Sequence, residues 1–198
     1  MKILGTLGTL SLSFGILAVG LSMYLASRQV DADEPAAGTS ANATFPKIQG
    51  YGSVVRLATA AHQPRPGTRL VVDVTRGDAP AQVNDGLAKV AKYLNLYAGG
   101  GAETAEAEIA VVIHGDTTLA VLSDDHYRRQ FDVQANPHLP LLRKLRDADV
   151  QIFVCGQSLL SKGSLPEHVD GSVQVAVSAM TALVNLQTDG YAYLPMLK

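Results

Sequence analysis

Cys155 is the only cysteine in 198 residues, and it stands where a thiol could do chemistry. It closes the apolar run Val150-Gln151-Ile152-Phe153-Val154, which reads as a short strand. Gly156-Gln157-Ser158-Leu159-Leu160 then reads as the first turn of a helix. Backbone N–H groups converge at such a turn, and the helix dipole favours an anion there. Both effects lower a cysteine pKa and raise the fraction of thiolate, the nucleophilic form. A thiolate so placed could accept a sulfane sulfur, form a mixed disulfide or attack an electrophile. The competing reading is packing, because a free cysteine often fills core space as a small hydrophobe. Chemistry requires the sulfur to be reachable from solvent and ionised. His114, which ends the apolar run Ile109 to Ile113, is the second catalytic candidate. Near neutral pH it could exchange protons or stabilise the thiolate; otherwise it is a hydrogen-bonded structural group. Gly156, Gln157 and Ser158 are the candidate ligand-binding residues, with Asp73 a further one. For Asp73 and Asp116, capping of the turns that follow is the favoured role.

Other chemistries lack their residues. The net charge of −2 leaves no electrostatic footprint for nucleic acid, and without Trp and with few aromatics there is no stacking platform. One cysteine makes neither an internal disulfide nor a C-x-x-C redox pair. His62, His126, His138 and His168 are scattered without zinc-like spacing, so no metal site is expected. There is no P-loop, and Gly99-Gly100-Gly101 follows a helix rather than a strand, so it is no dinucleotide fingerprint. The segment after Cys155 lacks the second glycine of a nucleophile elbow. No cofactor is expected.

The elements that would position these residues begin after an N-terminal prelude. Residues 1–32 read as an export signal or an uncleaved anchor. Lys2 precedes a chargeless stretch, 3–26, and Val30-Asp31-Ala32 offers small residues at the spacing of a cleavage site. Either way the remainder is expected to be exported to the periplasm, soluble after cleavage or held to the membrane through 3–26. Residues 33–46 read as a flexible linker and 47–68 as an extended arm carrying Ile48, Tyr51, Val54, Val55 and Leu57. From 69 to 198 strands alternate with helices. Leu70 to Val74 is the first strand. Asn84 or Asp85 caps a helix with Leu87, Val90, Ala91, Leu94 and Tyr97 on one face, closed by Gly99-Gly100-Gly101. An acidic approach, 103–108, leads to the second strand, ending at His114. Thr117 to Leu122 suits a short helix, and Asp124 to Phe131 is ambiguous, a helical turn being favoured over a strand. Asn136-Pro137 reads as a helix start, Asn as cap and Pro at the first helical position. After the Cys155 strand come a strand from Val173 to Val177, a helix capped by Ser178 and stopped at Asp189-Gly190, and a last strand from Tyr191 to Leu194.

Five such strands, several apolar throughout, predict an α/β fold: three layers, a roughly five-stranded, mainly parallel sheet with helices on both faces. Ligands of such sheets sit beyond the carboxyl ends of the strands, where Asp73, His114 and Cys155 fall. Strand order decides whether they are neighbours, and spacing does not reveal it.

The blocks Val71-Val72-Asp73-Val74-Thr75, Ile113-His114-Gly115, Asn136-Pro137-His138, Val154-Cys155-Gly156-Gln157-Ser158-Leu159, Ser178-Ala179-Met180-Thr181-Ala182-Leu183 and Leu186-Gln187-Thr188-Asp189-Gly190-Tyr191 occur in order. With them the chain resembles the DsrE/DsrF-like family, with the YchN-type fold, and within it an exported branch. The resemblance implies a five-stranded α/β domain that self-associates, commonly as trimers or hexamers. It implies a cysteine persulfide relay at Cys155, with a sulfur donor or acceptor protein as partner. The rival reading is a non-catalytic oligomeric binding module of the same fold, in which Cys155 is structural.

Overall fold

The computed structural model describes residues 42–100 and 107–196. The expected signal or anchor, 1–32, most of the linker and most of the acidic approach lie outside the described residues. No helix among the described residues is long and apolar enough to cross a membrane.

Five strands form one parallel sheet: β1 (Thr68–Val74), β2 (Ala107–Ile113), β3 (Gln151–Cys155), β4 (Gln174–Ala176) and β5 (Ala192–Pro195). Their order is β4-β3-β2-β1-β5. The β-branched runs of β1 and β2 are buried on both faces, as a parallel sheet between helices demands. Alternation along each strand divides the side chains. Val72, Val74, Val111, Ile113, Ile152 and Val154 enter the larger core, with Leu87, Val90, Leu142 and Leu145. The last four belong to α1 (Asp85–Gly99) and α3 (Leu139–Asp147). Val71, Ala110, Val112 and Cys155 face the other way, toward Ala179 and Leu186 of α5 (Ala179–Thr188).

Most elements form where the sequence places them. Asn84 caps α1, its Oδ1 accepting the Leu87 N–H at 3.1 Å, and Ser178 caps α5 by accepting the Thr181 N–H at 3.0 Å. Asp124–Phe131 is the helix α2. Gly156–Ser161 is α4. Three expectations shift. The short helix after β2 is a 3-10 helix, Gly115–Val121, whose first N–H groups at Asp116 and Thr117 bond the Thr75 carbonyl. Gly115 has φ +60°, and a Cβ there would lie 2.8 Å from that carbonyl oxygen. The helix α3 begins at Leu139 rather than at Pro137. Asn136 is no cap: its Nδ2 donates to Ala120 and Leu122 carbonyls and its Oδ1 accepts the His138 N–H, so it ties two loops together. The fourth strand keeps only three residues of the expected five.

The first part of the arm packs, with Ile48 and Val54 buried and Tyr51 partly so, whereas Val55 and Leu57, expected to pack with them, stand exposed. Thr44 and Val54 exchange backbone hydrogen bonds at 2.9 Å. The buried amide of Asn95, on α1, accepts from the Lys47 and Ile48 N–H groups and donates to Tyr51 and Gly52 carbonyls.

Candidate functional site

Cys155 is the last residue of β3 and the N-cap of α4. Its Sγ accepts the Ser158 N–H at 3.4 Å. Burial pushes the thiol pKa up. The Ser158 hydroxyl and N–H, with the N–H groups of Ala179 and Gln157, outweigh that and leave it below its ordinary value. Two helices contribute, because Ala179 opens α5 while Gln157 and Ser158 open α4. Gly156 lets these parts approach: a Cβ there would meet the Ala176 carbonyl oxygen at 2.9 Å. Gln157 is exposed and Ser158 half-buried. These hydrogen bonds favour the ionised thiol. The sulfur itself is covered: Cys155 is only 5% exposed and belongs to the apolar cluster that includes Val112 and Ala179.

The other candidates meet one strand away. His114 Nε2 lies 2.8 Å from Asp73 Oδ1, and Tyr193 donates its hydroxyl to Asp73 Oδ2 at 2.7 Å. Asp73 is 8% exposed and therefore needs these partners, whose hydrogen bonds replace its hydration. It caps no turn, contrary to the capping role expected from sequence. The Asp73 bond, with burial and the carboxylate charge, holds the Tyr193 hydroxyl up at about 12. His114 makes no hydrogen bond to Cys155 among the described residues; its Nε2 is spent on Asp73. Register nevertheless sets the two side by side. Ile113 pairs with Val154, so the next residues, His114 and Cys155, lie in one row on strands about 4.8 Å apart. Both take the α5 side of the sheet, as do Asp73, one residue from Val74, and Tyr193, which pairs with Val71.

Tyr193 is the member that reading the sequence missed. Its place depends on β5 returning to the far side of β1, the one junction in the sheet between strands not consecutive in the chain. Asp116 stays outside, at 3.8 Å from Lys162. His138 is a structural group: Nδ1 accepts the Asn84 N–H at 3.1 Å and Nε2 meets the Tyr127 hydroxyl at 3.2 Å. Burial lowers its pKa to about 4, against a smaller opposing pull from Asp78.

The family model described as DsrE, the DsrE/DsrF-like family, matches residues 74–196. Among solved structures the chain is similar to the protein of unknown function MTH1491 from Methanobacterium thermoautotrophicum. That likeness has 20% identity and a TM-score of 0.47, over 65% of this chain and 98% of the other. No curated protein matches the chain.

Proposed function

The chain belongs to the DsrE/DsrF-like family, and on that premise we propose that it carries sulfane sulfur on Cys155. The observation behind this reading is the convergence of N–H groups from two helices on one sulfur whose pKa they depress. The loading step is a displacement. The Cys155 thiolate attacks the outer sulfur of a persulfide, polysulfide or thiosulfate, the donor S–S bond breaks, and the donor leaves as a thiolate, a shorter polysulfide or sulfite. Cys155 is left as a persulfide. An acceptor thiolate, on a partner protein, reverses the step. The test is mass spectrometry of the wild type and Cys155→Ser after exposure to polysulfide or thiosulfate. A one-sulfur adduct on Cys155 alone supports the reading; an unmodified wild type overturns it.

The 5% exposure of Cys155 favours a second reading, a binding module of the same fold with a packing cysteine. Slow, incomplete reaction of the native protein with a thiol reagent is its signature.

We also propose that the chain is exported and self-associates, as a trimer or hexamer. The apolar stretch 3–26 supports export. The α5 face supports self-association. On α5 Met180 is 76% exposed and Val184 61%, and Val177, just before its cap, is 75% exposed. Exposed apolar residues gathered on one element mark an interaction surface.

A further inference from the structure

The Tyr193–Asp73–His114 array has no part in holding the Cys155 sulfur, which is supplied by backbone N–H groups and the Ser158 hydroxyl. A thiolate already stabilised in this way needs no base to form it. What a sulfur exchange still lacks is a proton for the thiolate that departs, because a good leaving thiol is one that carries little charge away. His114 has the means. Asp73 fixes one nitrogen, Nε2, and thereby the ring orientation. The other nitrogen, Nδ1, makes no hydrogen bond among the described residues, and no side-chain nitrogen or oxygen there is both buried and unpartnered. Nδ1 is therefore not sealed off, and the His114 side chain is 29% exposed. His114 stands in the row of Cys155, on the adjoining strand and the same side of the sheet, with Nε2 turned toward Asp73.

We propose that His114 is the general acid for the thiolate leaving from Cys155, and that Asp73 and Tyr193 are its positioning residues. This rests on the reading of Cys155 as the sulfur carrier. In the form that acts as acid, Nε2–H bonds the Asp73 carboxylate and the transferable proton sits on Nδ1. Attack by the Cys155 thiolate on a persulfide R–S–SH forms Cys155–S–SH and breaks the donor S–S bond. The departing R–S⁻ takes the Nδ1 proton and leaves as R–SH; His114 becomes neutral and is recharged from water. Sulfur oxidation states are exchanged between donor and carrier, with no outside oxidant. Tyr193 fills the second oxygen of Asp73, so that the carboxylate cannot turn away from the ring. The nearest other charged group in the chain, Asp116, pairs with Lys162 at 3.8 Å.

The test compares leaving groups in the full-length protein. Wild type, His114→Gln, Asp73→Asn and Tyr193→Phe are each reacted at Cys155 with an aliphatic disulfide, an aromatic disulfide and iodoacetamide. Only the aliphatic thiol needs a proton to leave. The expected result is a loss of about 10²-fold for His114→Gln with the aliphatic disulfide, the lower end of general acid catalysis. Asp73→Asn loses somewhat less and Tyr193→Phe about threefold to tenfold, the value of one hydrogen bond. With the aromatic disulfide and iodoacetamide all four react alike. Equal losses with all three reagents make the array a scaffold and overturn the proposal. So does the absence of any loss, or a wild-type Cys155 inert to every reagent. Tyr193→Phe removes one hydroxyl from a partly exposed side chain, so it keeps the test open should Asp73→Asn fail to fold. Treatment of the wild type with glutathione persulfide separates the two readings. A leaving-group split without a sulfur adduct sinks the sulfane reading and keeps the general acid; an adduct without the split does the reverse.

Discussion

The fold should lose stability in mild acid, and His138 sets the window. Both ring nitrogens are committed. Nδ1 accepts the Asn84 N–H, so Nε2 carries the proton and meets Tyr127, whose hydroxyl donates to the Pro80 carbonyl at 2.9 Å. Protonating Nδ1 would set two donors face to face inside the protein. Burial accordingly lowers the folded pKa from 6.5 to about 4, with Asp78 opposing. Between those values the unfolded chain binds a proton that the folded chain does not, so stability falls as pH drops through 6.5 and the loss is complete near the folded value. The gap corresponds to about 3 kcal/mol of unfolding free energy. Urea unfolding of the wild type and His138→Gln, at about pH 7.5 and about pH 4.5, measures it. Glutamine keeps an acceptor and a donor but does not titrate. The variant should be less stable at neutral pH and should lack about 2–3 kcal/mol of the wild type's loss on acidification. Asp170 does not confuse the comparison. Burial raises its pKa, but Arg143 and Ser172 outweigh that, so its contribution persists above its ordinary 3.8 and is lost at lower pH in both proteins. Parallel pH slopes for wild type and variant would refute the reasoning.

Two further outcomes follow from the packing. Asn95→Ala should cost about 2–3 kcal/mol, because it strands the Lys47 and Ile48 N–H groups and removes the donor to three carbonyls of the arm. Limited trypsin digestion should then cut at Lys47 or Arg56 before the sheet unfolds, and a wild-type digestion pattern would show that other contacts hold the arm. Met180→Glu with Val184→Glu places charge on two outward positions of α5 and should convert the assembly to monomer in gel filtration at nearly unchanged melting temperature. Unaltered elution of an oligomer, or a monomeric wild type, removes α5 as the self-association face.

The cysteine was legible because its signal is local: an apolar run, one glycine, then a helix turn, all within eleven residues from Val150 to Leu160. The parallel sheet was legible for the same reason, from β-branched runs such as Leu70 to Val74. What the sequence could not reveal depends on strand order. Asp73 reads as a cap until β2 and β5 are placed on either side of β1, and only then do His114 and Tyr193 reach its two oxygens. Asn136-Pro137 misled because local helix-start chemistry was overruled by the long-range bonds of Asn136 to Ala120 and Leu122. The covering of the sulfur was equally hidden, since it comes from α5, more than twenty residues away in sequence.

That covering and the depressed thiol pKa have one origin. The Ala179 N–H reaches the sulfur because α5 begins directly over it, and the same approach buries both residues at 5% exposure. A reagent must therefore enter by displacing the first turn of α5, where Met180 already stands in solvent. Ser178 holds that turn, through its hydroxyl on the Thr181 N–H. Ser178→Ala removes the cap, which stabilises the turn by about 1 kcal/mol, and a fraying route predicts alkylation of Cys155 about fivefold faster. The same fraying withdraws the Ala179 N–H and raises the thiol pKa, which opposes the gain. Measuring the rate well above the thiol pKa, where every molecule is ionised, removes that second effect and leaves access alone. A rate there equal to that of the wild type would mean that reagents reach the sulfur by another way, and that the first turn of α5 is no gate.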